Sequence, residues 1–471
     1  MQQLLEHLRR YGRFQRNARL YLVSMALSYV TVGMITVLYN LYLVALGYDT
    51  DFIGLILFIG TLGAAIAIFP AGFCVDRYGG KRILLWSSLL IGIAGAGQML
   101  FRTPLPLLVS AFVAGIGGAF ILVVNAPFLT LNSTEEERPH LFSLNIVLAL
   151  VTTVIGETLG GLLPLWFGAV HGSLLPVLAG LHGILVSQPQ ALSYQLSLLT
   201  AGIIATPSFI PLFMMHDDRL LYRQQSELAH AVPLRTPSVY WHASVKRLQT
   251  FFSPEYLKQY LTYMKSPLAV LTALYALQGL GAGLFIPYMN VYFVQRLGAT
   301  PALFGSIDGA ANILNALLTL VAPWFVLRCG ILVTLLVPRL LAIPLMLVIG
   351  CVPFLPLAAA LYPVRQGLAD MSQGILQVFS MERVSSRHRG LANSSYQVAF
   401  QGSWALGAPL GGLLIKNVGY PVVFIMAAVL YCLAYLPLWL RFRRDGGGDG
   451  DGDGQASGAV QELSEAVPER P

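Results

Sequence analysis

The sequence predicts an all-α membrane protein of twelve transmembrane helices in two pseudo-symmetric six-helix bundles. Three observations lead there. The 471-residue chain is 56% hydrophobic and only 11% charged, roughly half the charge of a soluble globular chain, with a mean hydropathy of +0.68. Its apolar residues gather into twelve runs long enough to cross a bilayer, and the second six repeat the first six. This composition excludes a disordered chain and an ordinary soluble enzyme. Cys74, Cys329, Cys351 and Cys432 lie in apolar runs without paired spacing, which excludes a disulfide scaffold. The net charge of +7 would suggest nucleic acid in a soluble chain. Here the basic residues fall between apolar runs, so the partner is the lipid bilayer and no nucleic acid is expected.

About 20 residues rising 1.5 Å each cross a hydrocarbon core of about 30 Å. The runs are 20–46, 52–73, 83–101, 104–131, 141–168, 191–215, 268–296, 302–327, 331–352, 355–381, 390–416 and 419–441. Residues 1–19 are polar and Arg-rich, without the short apolar region and cleavage site of a signal peptide. The organisation is a basic segment 1–19, a bundle 20–215, a linker 216–265, a bundle 266–441 and a disordered tail 442–471. Gly and Pro break the apolar stretch 169–190, which reads as an interfacial loop. Tyr240–Met264 mixes aromatic and basic residues, and reads as a segment lying on the inner membrane face.

Lys and Arg orient the map. With the N-terminus inside, 24 of the 29 fall in inner segments, three (Arg102, Arg296, Lys416) in outer ones, and Arg339 and Arg365 within spans. Positive residues concentrate on the cytoplasmic side, so both termini are expected there, with a bacterial plasma (inner) membrane as the location.

The repeat runs at a shift of 251. Gly47 matches Gly298, Gly54 matches Gly305, Arg77 matches Arg328, Gly79 matches Gly330, Arg138 matches Arg389 and Gly168 matches Gly419. Gly156-x-x-Leu-Gly-Gly-Leu-Leu163 recurs as Gly407-x-x-Leu-Gly-Gly-Leu-Leu414, and at a shift of 250 Asn40-x-Tyr-x-Val44 recurs as Asn290-x-Tyr-x-Val294. Six spans per half is an even number, so the halves share one orientation, about an axis along the membrane normal. The GxxxG pairs Gly156/Gly160, Gly305/Gly309 and Gly407/Gly411 mark places where helices pack backbone to backbone in lipid.

Between spans two and three the chain reads Gly72-Phe-Cys-Val-Asp76-Arg77-Tyr-Gly79-Gly-Lys81-Arg82. This resembles the G-x-x-x-D-R-x-G-x-K/R-K/R signature of the major facilitator superfamily, at the loop where that family carries it. With the twelve spans and the repeat, the resemblance covers about residues 20–441. It implies a secondary transporter working by alternating access on a small-molecule substrate, as a monomer without a bound cofactor. It also implies that Asp76 latches the halves against the start of span eleven, near Ser386–Asn393. In the second half that position is Leu327, so the latch is one-sided. Gly72 and Gly79 allow close packing at the helix ends and turn, and Arg77, Lys81 and Arg82 hold the loop inside. Glu135-Glu136-Glu137-Arg138 is similar to the family's acidic–Arg loop, and reads equally as an exposed charged turn. Drug–proton antiporters of the family often carry G-P-x-x-G-G in span five and an Arg in span four. This chain has Glu157 at the Pro position and no Arg across Ser110–Ala119.

Glu157, Asp308, Arg339, Arg365 and Asp370 fall within spans. A charge at the bilayer centre costs about 3 kcal/mol or more, so such groups face the protein interior or a watery cavity. Arg365 and Asp370 are five residues apart, roughly 140° off-register on a helix, so Arg365 needs another partner. The expectation is a network of Glu157, Asp308 and Arg365 between the halves. Asp308, near the outer end of its span, is open to a plain solvent contact instead. Arg339, on what is an outer helix in the family, is expected to snorkel toward the inner face. Asp370, Asn40 and Asn290 are further substrate-binding or coupling candidates, the two Asn either lining the outer cleft or bonding between helices. No histidine falls within a span.

No His-Glu-x-x-His, G-x-S-x-G or phosphate loop occurs, so neither an enzyme nor direct ATP use is indicated. Asp449-x-Asp451-x-Asp453-Gly454 mimics half a calcium loop, but Val460 stands where the bidentate Glu belongs. No metal site is expected. The reading is proton- or ion-coupled export of an amphipathic or cationic compound. Uptake of a small solute, or a transport-inactive receptor with the same fold, remain open.

Overall fold

The computed structural model describes residues 14–170, 185–220, 267–382, 384 and 389–442. The first half contains α1 (Arg16–Ala45), α2 (Thr50–Tyr78), α3 (Gly80–Leu100), α4 (Pro104–Leu131), α5 (Arg138–Ala169) and α6 (Pro189–Ala205), which continues through a 3-10 turn to Met214. The second contains α7 (Pro267–Phe285, continuing irregularly to Arg296), α8 (Pro301–Cys329), α9 (Ile331–Cys351), α10 (Leu355–Asp370 and Gln373–Glu382), α11 (Arg389–Asn417) and α12 (Tyr420–Phe442). Among the described residues eleven helices are long and apolar enough to span a membrane. The tenth is the exception: its run breaks at a turn over Met371 and Ser372 and is not continuous as the sequence suggested. The Tyr240–Met264 segment, most of the 169–190 loop and the calcium-like tail lie outside the described residues.

Every backbone polar group in a bilayer must be satisfied internally, which leaves helix as the open choice. Pro70, Pro127, Pro164, Pro323, Pro338, Pro344, Pro363, Pro409 and Pro437 sit inside helices all the same. Membrane helices tolerate this because neighbouring groups take up the freed carbonyls. At the turns the chain reverses on glycine: Gly47, Gly79, Gly298, Gly330 and Gly419 have φ between 74° and 104°.

The internal repeat holds in three dimensions. Gly79 N–H donates to the Val75 carbonyl, and Gly330 to Val326, each at 2.9 Å. Tyr42 donates to Met99 O at 2.9 Å, and Tyr292 to Ile349 O. The change of shift from 250 to 251 also has a structural cause. Leu46 N bonds the carbonyl four residues back, Tyr42, whereas Leu297 N bonds the one five back, Tyr292. A π-turn over Tyr292–Arg296 absorbs the extra residue of the second half.

Within each half, α1 packs on α5 and α2 on α4, and α7 packs on α11 and α8 on α10. Between halves, α2 meets α11 and α5 meets α8. Glycine makes these two seams possible. A Cβ on Gly54 would sit 2.7 Å from Ala408 O, and one on Gly305 would press into Glu157 O, the equivalent atom at a shift of 251. Likewise a Cβ on Gly412 would strike Thr50 O, and one on Gly161 would lie 2.7 Å from Pro301 O. All these residues lie toward the side opposite the termini, here the far side. The larger apolar core also joins both halves there, while a second cluster from Phe14 to Met215 belongs to the first half and lies near its termini-side end. Gly72 and Gly402, farther toward the termini along α2 and α11, face open space. The halves therefore touch on the far side and part toward the termini.

Gly156→Ala places a methyl against Val30 O and is expected to destabilise the fold by about 1–3 kcal/mol, read as a lower thermal midpoint in detergent. Gly72→Ala, in open space, leaves that midpoint unchanged or higher, because Ala favours helix.

Candidate functional site

On the far side, at the pseudo-twofold axis, Asn40 and Asn290 clasp each other's helices. Asn40 Nδ2 donates to Pro287 O at 2.6 Å and lies 3.4 Å from Asn290 Oδ1. Asn290 Nδ2 donates to Val37 O, the repeat-equivalent carbonyl, and to Thr36 O, both at 3.1 Å. Both Asn are buried, so the pair seals the axis rather than lining an open cleft. Beside it, Lys416 on α11 reaches Asp49 and Asp51 at the head of α2, each at 2.9 Å. Thr50 donates to Gly412 O at 2.8 Å across the same seam.

The other seam carries the acids. Glu157 on α5 is 2% exposed. Its two carboxylate oxygens accept from Asn312 Nδ2 on α8 at 2.9 and 3.1 Å. Asp308, one turn earlier on α8, is half-buried and accepts from the Tyr362 hydroxyl on α10 at 3.0 Å. Glu157 and Asp308 thus lie at one level of the α5–α8 seam, without the Arg365 of the expected network, and Asp308 has a protein partner rather than solvent alone.

Arg365 belongs to a different cluster. It is 3% exposed, stacks on Phe285 at 4.8 Å, and donates to Gln366 Oε1 at 2.8 Å. Gln366 Nε2 then donates to Asp370 Oδ2 at 2.6 Å. The 140° offset does keep Arg365 and Asp370 from pairing directly, and the amide between them bridges it. Arg339 departs from expectation. It does not snorkel but is 1% exposed, its Nη2 donating to Gln373 Oε1 at 2.8 Å and its Nε to Ala369 O at 3.4 Å. Its guanidinium lies 5.7 Å from the centre of the Tyr435 ring. The break in α10 falls between Ala369 and Gln373, so Arg339 binds both sides of it. A buried guanidinium with five donors needs such acceptors, and the carbonyl at the break supplies one.

The signature loop is stitched to its own half. Lys81 N donates to both oxygens of Asp218 at 3.1 and 3.3 Å, capping α3. Lys81 Nζ caps the carbonyl of Met215 at 2.5 Å, and Arg82 pairs with Asp217 at 2.9 Å. Burial, opposed by the N–H donors at the head of α3, holds the Asp218 carboxyl above the usual carboxylate range. The main-chain N–H of Arg219 holds Asp217 below it. Gly79 is required twice over, by its φ of 83° and by Asp218 and Arg219 within 2.9 Å of a Cβ there. Gly72 departs from expectation, since nothing packs against it in this arrangement. Arg77 lies over Tyr78 at 5.7 Å, and Asp76 is exposed at the end of α2. Of its expected counterpart on α11, residues 385–388 lie outside the described ones. Arg138 opens α5 after the exposed Glu135 and Glu136.

Asn312, Tyr362, Gln366 and the Asp217–Asp218 pair were not singled out from the sequence. Three of them had a signal: Asn312 and Gln366 stand four residues from Asp308 and Asp370, on the same helix face, and Asp217–Asp218 ends an apolar run opposite three cations.

Asp218→Ala removes the cap of α3 and is expected to cost about 1 kcal/mol, seen as a lower thermal midpoint. Replacing Asn40 and Asn290 by Ala together removes hydrogen bonds of about 0.5–1.5 kcal/mol each from far-side closure. A cysteine at Val37, now buried, should then alkylate faster from the far side.

The model of the Major Facilitator Superfamily matches residues 21–364 and 271–466. Solved transporters share the fold at low identity. A bacterial homologue of the human lysosomal transporter Spinster, inward-facing and occupied, matches with TM-score 0.67 and 14% identity over 90% of this chain and 96% of its own. The nucleoside transporter NupG matches at 0.66 and 13%, over 90% and 99%. The xylose transporter XylE of E. coli, inward open, matches at 0.63 and 14%, over 92% and 97%. The family match spans most of the chain, and this multi-pass membrane protein belongs to the major facilitator superfamily.

Proposed function

We propose that the protein exports an amphipathic or cationic small molecule by alternating access, coupled to protons, across a bacterial plasma membrane with both termini in the cytoplasm. Secondary transport is the activity that the family supports. The orientation rests on the basic residues. The side toward which the halves part carries the Lys and Arg of the signature loop, together with Arg138, Arg328 and Arg389. By the positive-inside rule that side is cytoplasmic, and the present arrangement faces inward.

One observation carries the choice of substrate. Asp370 is half-buried on the stretch of α10 that runs toward the side where the halves part, whereas Arg339 and Arg365 are withdrawn into the second bundle among aromatic rings. The central region therefore offers acid and hides base. A cation entering a low-dielectric cleft gains from a carboxylate what it loses in hydration. Asp370, held from behind by Gln366, is the group assigned to that contact.

The test is flux of lipophilic amines in proteoliposomes under an imposed pH gradient. Acid on the far side should drive amines from the termini side outward. Asp370→Asn should raise the half-saturating concentration about tenfold or more, the loss of one charge-assisted contact of about 1.5–3 kcal/mol. Uptake driven by the same gradient, or transport of anions in preference to amines, would contradict the assignment.

A further inference from the structure

The two seams between the halves are equivalent in backbone and opposite in chemistry. At a shift of 251, Glu157 corresponds to Ala408, Asp308 to Leu57, Asn312 to Thr61 and Tyr362 to Ala111. The α2–α11 seam thus has no carboxylic acid at the level where the α5–α8 seam holds two; its polar group there is the neutral hydroxyl of Tyr288, which donates to Ala408 O. Both seams are closed to backbone contact by the same glycines, Gly54 and Gly412 on one and Gly305 and Gly161 on the other. Closure of the α5–α8 seam therefore carries an electrostatic cost that the α2–α11 seam does not.

The surroundings do not offset two negative charges. The hydrogen-bond partners of Glu157 and Asp308 are an amide and a phenol, Asn312 and Tyr362, and neither acid has a cation within ion-pair distance among the described residues. α4 and α6, which pack against α5, contain no Asp, Glu, Lys, Arg or His, and the arginines of α1 are Arg16 and Arg19 at its termini-side end. On α10, Tyr362 faces Asp308. Arg365 one turn on and Asp370 beyond it are engaged through Gln366. On α9, Arg339 is engaged by Gln373. Glu157 Oε2 lies 3.7 Å from the Cβ position of Gly309, next to Asp308. Two carboxylates sharing a site in low dielectric do not both ionise.

We infer that Glu157 and Asp308 form a single proton site split between the halves, and that the far side closes only when the pair holds a proton. With the seam open both acids are solvated and take a proton from the far side; loss of that proton to the termini side lets the seam open again. The occupant is a proton rather than a metal ion, because Asn312 and Tyr362 present N–H and O–H groups to the acids, whereas a hard cation needs oxygen acceptors. The opposite seam, bonded by neutral hydroxyls and strapped by Lys416 to Asp49 and Asp51, acts as the proton-independent partner. This deepens the proton-coupled reading above, and its test needs no substrate, so it stands or falls apart from the substrate and the direction of transport.

The experiment is a far-side distance measurement on the full-length protein in lipid nanodiscs, with spin labels at Thr103→Cys and Phe354→Cys in otherwise cysteine-free protein. These are repeat-equivalent, exposed far-side positions. Between pH 9 and 5 the ratio of closed to open distances should rise by up to about tenfold per pH unit, the signature of one linked proton. Glu157→Gln should hold the far side closed at every pH. Asp308→Asn should do the same, and serves if the first variant folds poorly. The inference is overturned if both variants keep the parental pH profile, if the parent shows none, or if exchanging choline for sodium at fixed pH reproduces the shift.

Discussion

The structure depends on backbone meeting backbone at glycine across the plane between the halves. In hydrocarbon there is no hydrophobic drive to hold one helix against another, so close packing and hydrogen bonds must do it. Gly54 on Ala408, Gly305 on Glu157, Gly412 on Thr50 and Gly161 on Pro301 place α2 against α11 and α5 against α8 at backbone contact, with the Tyr288 hydroxyl bonded to Ala408 O in the first seam. These contacts stop partway along the helices, and the parting of the halves toward the termini follows. Asn40 and Asn290 add a reciprocal clasp on the axis itself. A seam of this kind is bistable: at van der Waals distance it is shut, and a small rotation costs it most of its contact.

On that symmetric frame the chemistry is one-sided. The second bundle has Asp308, Asn312, Tyr362, Arg365, Gln366 and Asp370 where the first has Leu57, Thr61, Ala111, Ala114, Gly115 and Ala119. Its polar groups are connected into short chains through amides and a phenol, and its two arginines rest on aromatic rings. The first bundle supplies Glu157 to the seam and, at its termini-side end, a loop whose cations are tied to the end of α6. A gene duplication leaves two equal halves. Here, of the five ionisable residues within spans, the first half holds Glu157 and the second holds Asp308, Arg339, Arg365 and Asp370.

Much of this was legible in the chain. Apolar run length located eleven spans directly, and the Gly156 and Gly407 repeats marked close helix packing, which falls within each half at Val30 and Leu280 and between the halves only at Gly161 and Gly412. The single-residue change of register between Asn290 and Gly298 was visible as a number, and its cause, the π-turn at Tyr292–Arg296, was not. Direction was harder. Arg339 read as a snorkelling residue because sequence shows depth along a helix and not the face it turns. Packing against α10 and α12 sends it inward. The expected link from Arg365 to Glu157 and Asp308 assumed that opposite charges seek one another. In the fold a glutamine and a phenylalanine ring reach Arg365 first. The break in α10 carries no Gly or Pro, so no local signal marked it.

The central claim is that two rigid bundles rock about a shared cleft, so that the sides open in turn. The most direct measurement uses two label pairs in one preparation, Tyr78→Cys with native Cys329 on the termini side and Thr103→Cys with Phe354→Cys on the far side, the remaining cysteines being replaced by serine. Tyr78 and Cys329 are repeat-equivalent and exposed. On adding a transported amine, the account predicts that the first distance shortens as the second lengthens, in the same fraction of molecules. Two distances that change in the same direction, or that stay fixed while flux proceeds, would contradict it.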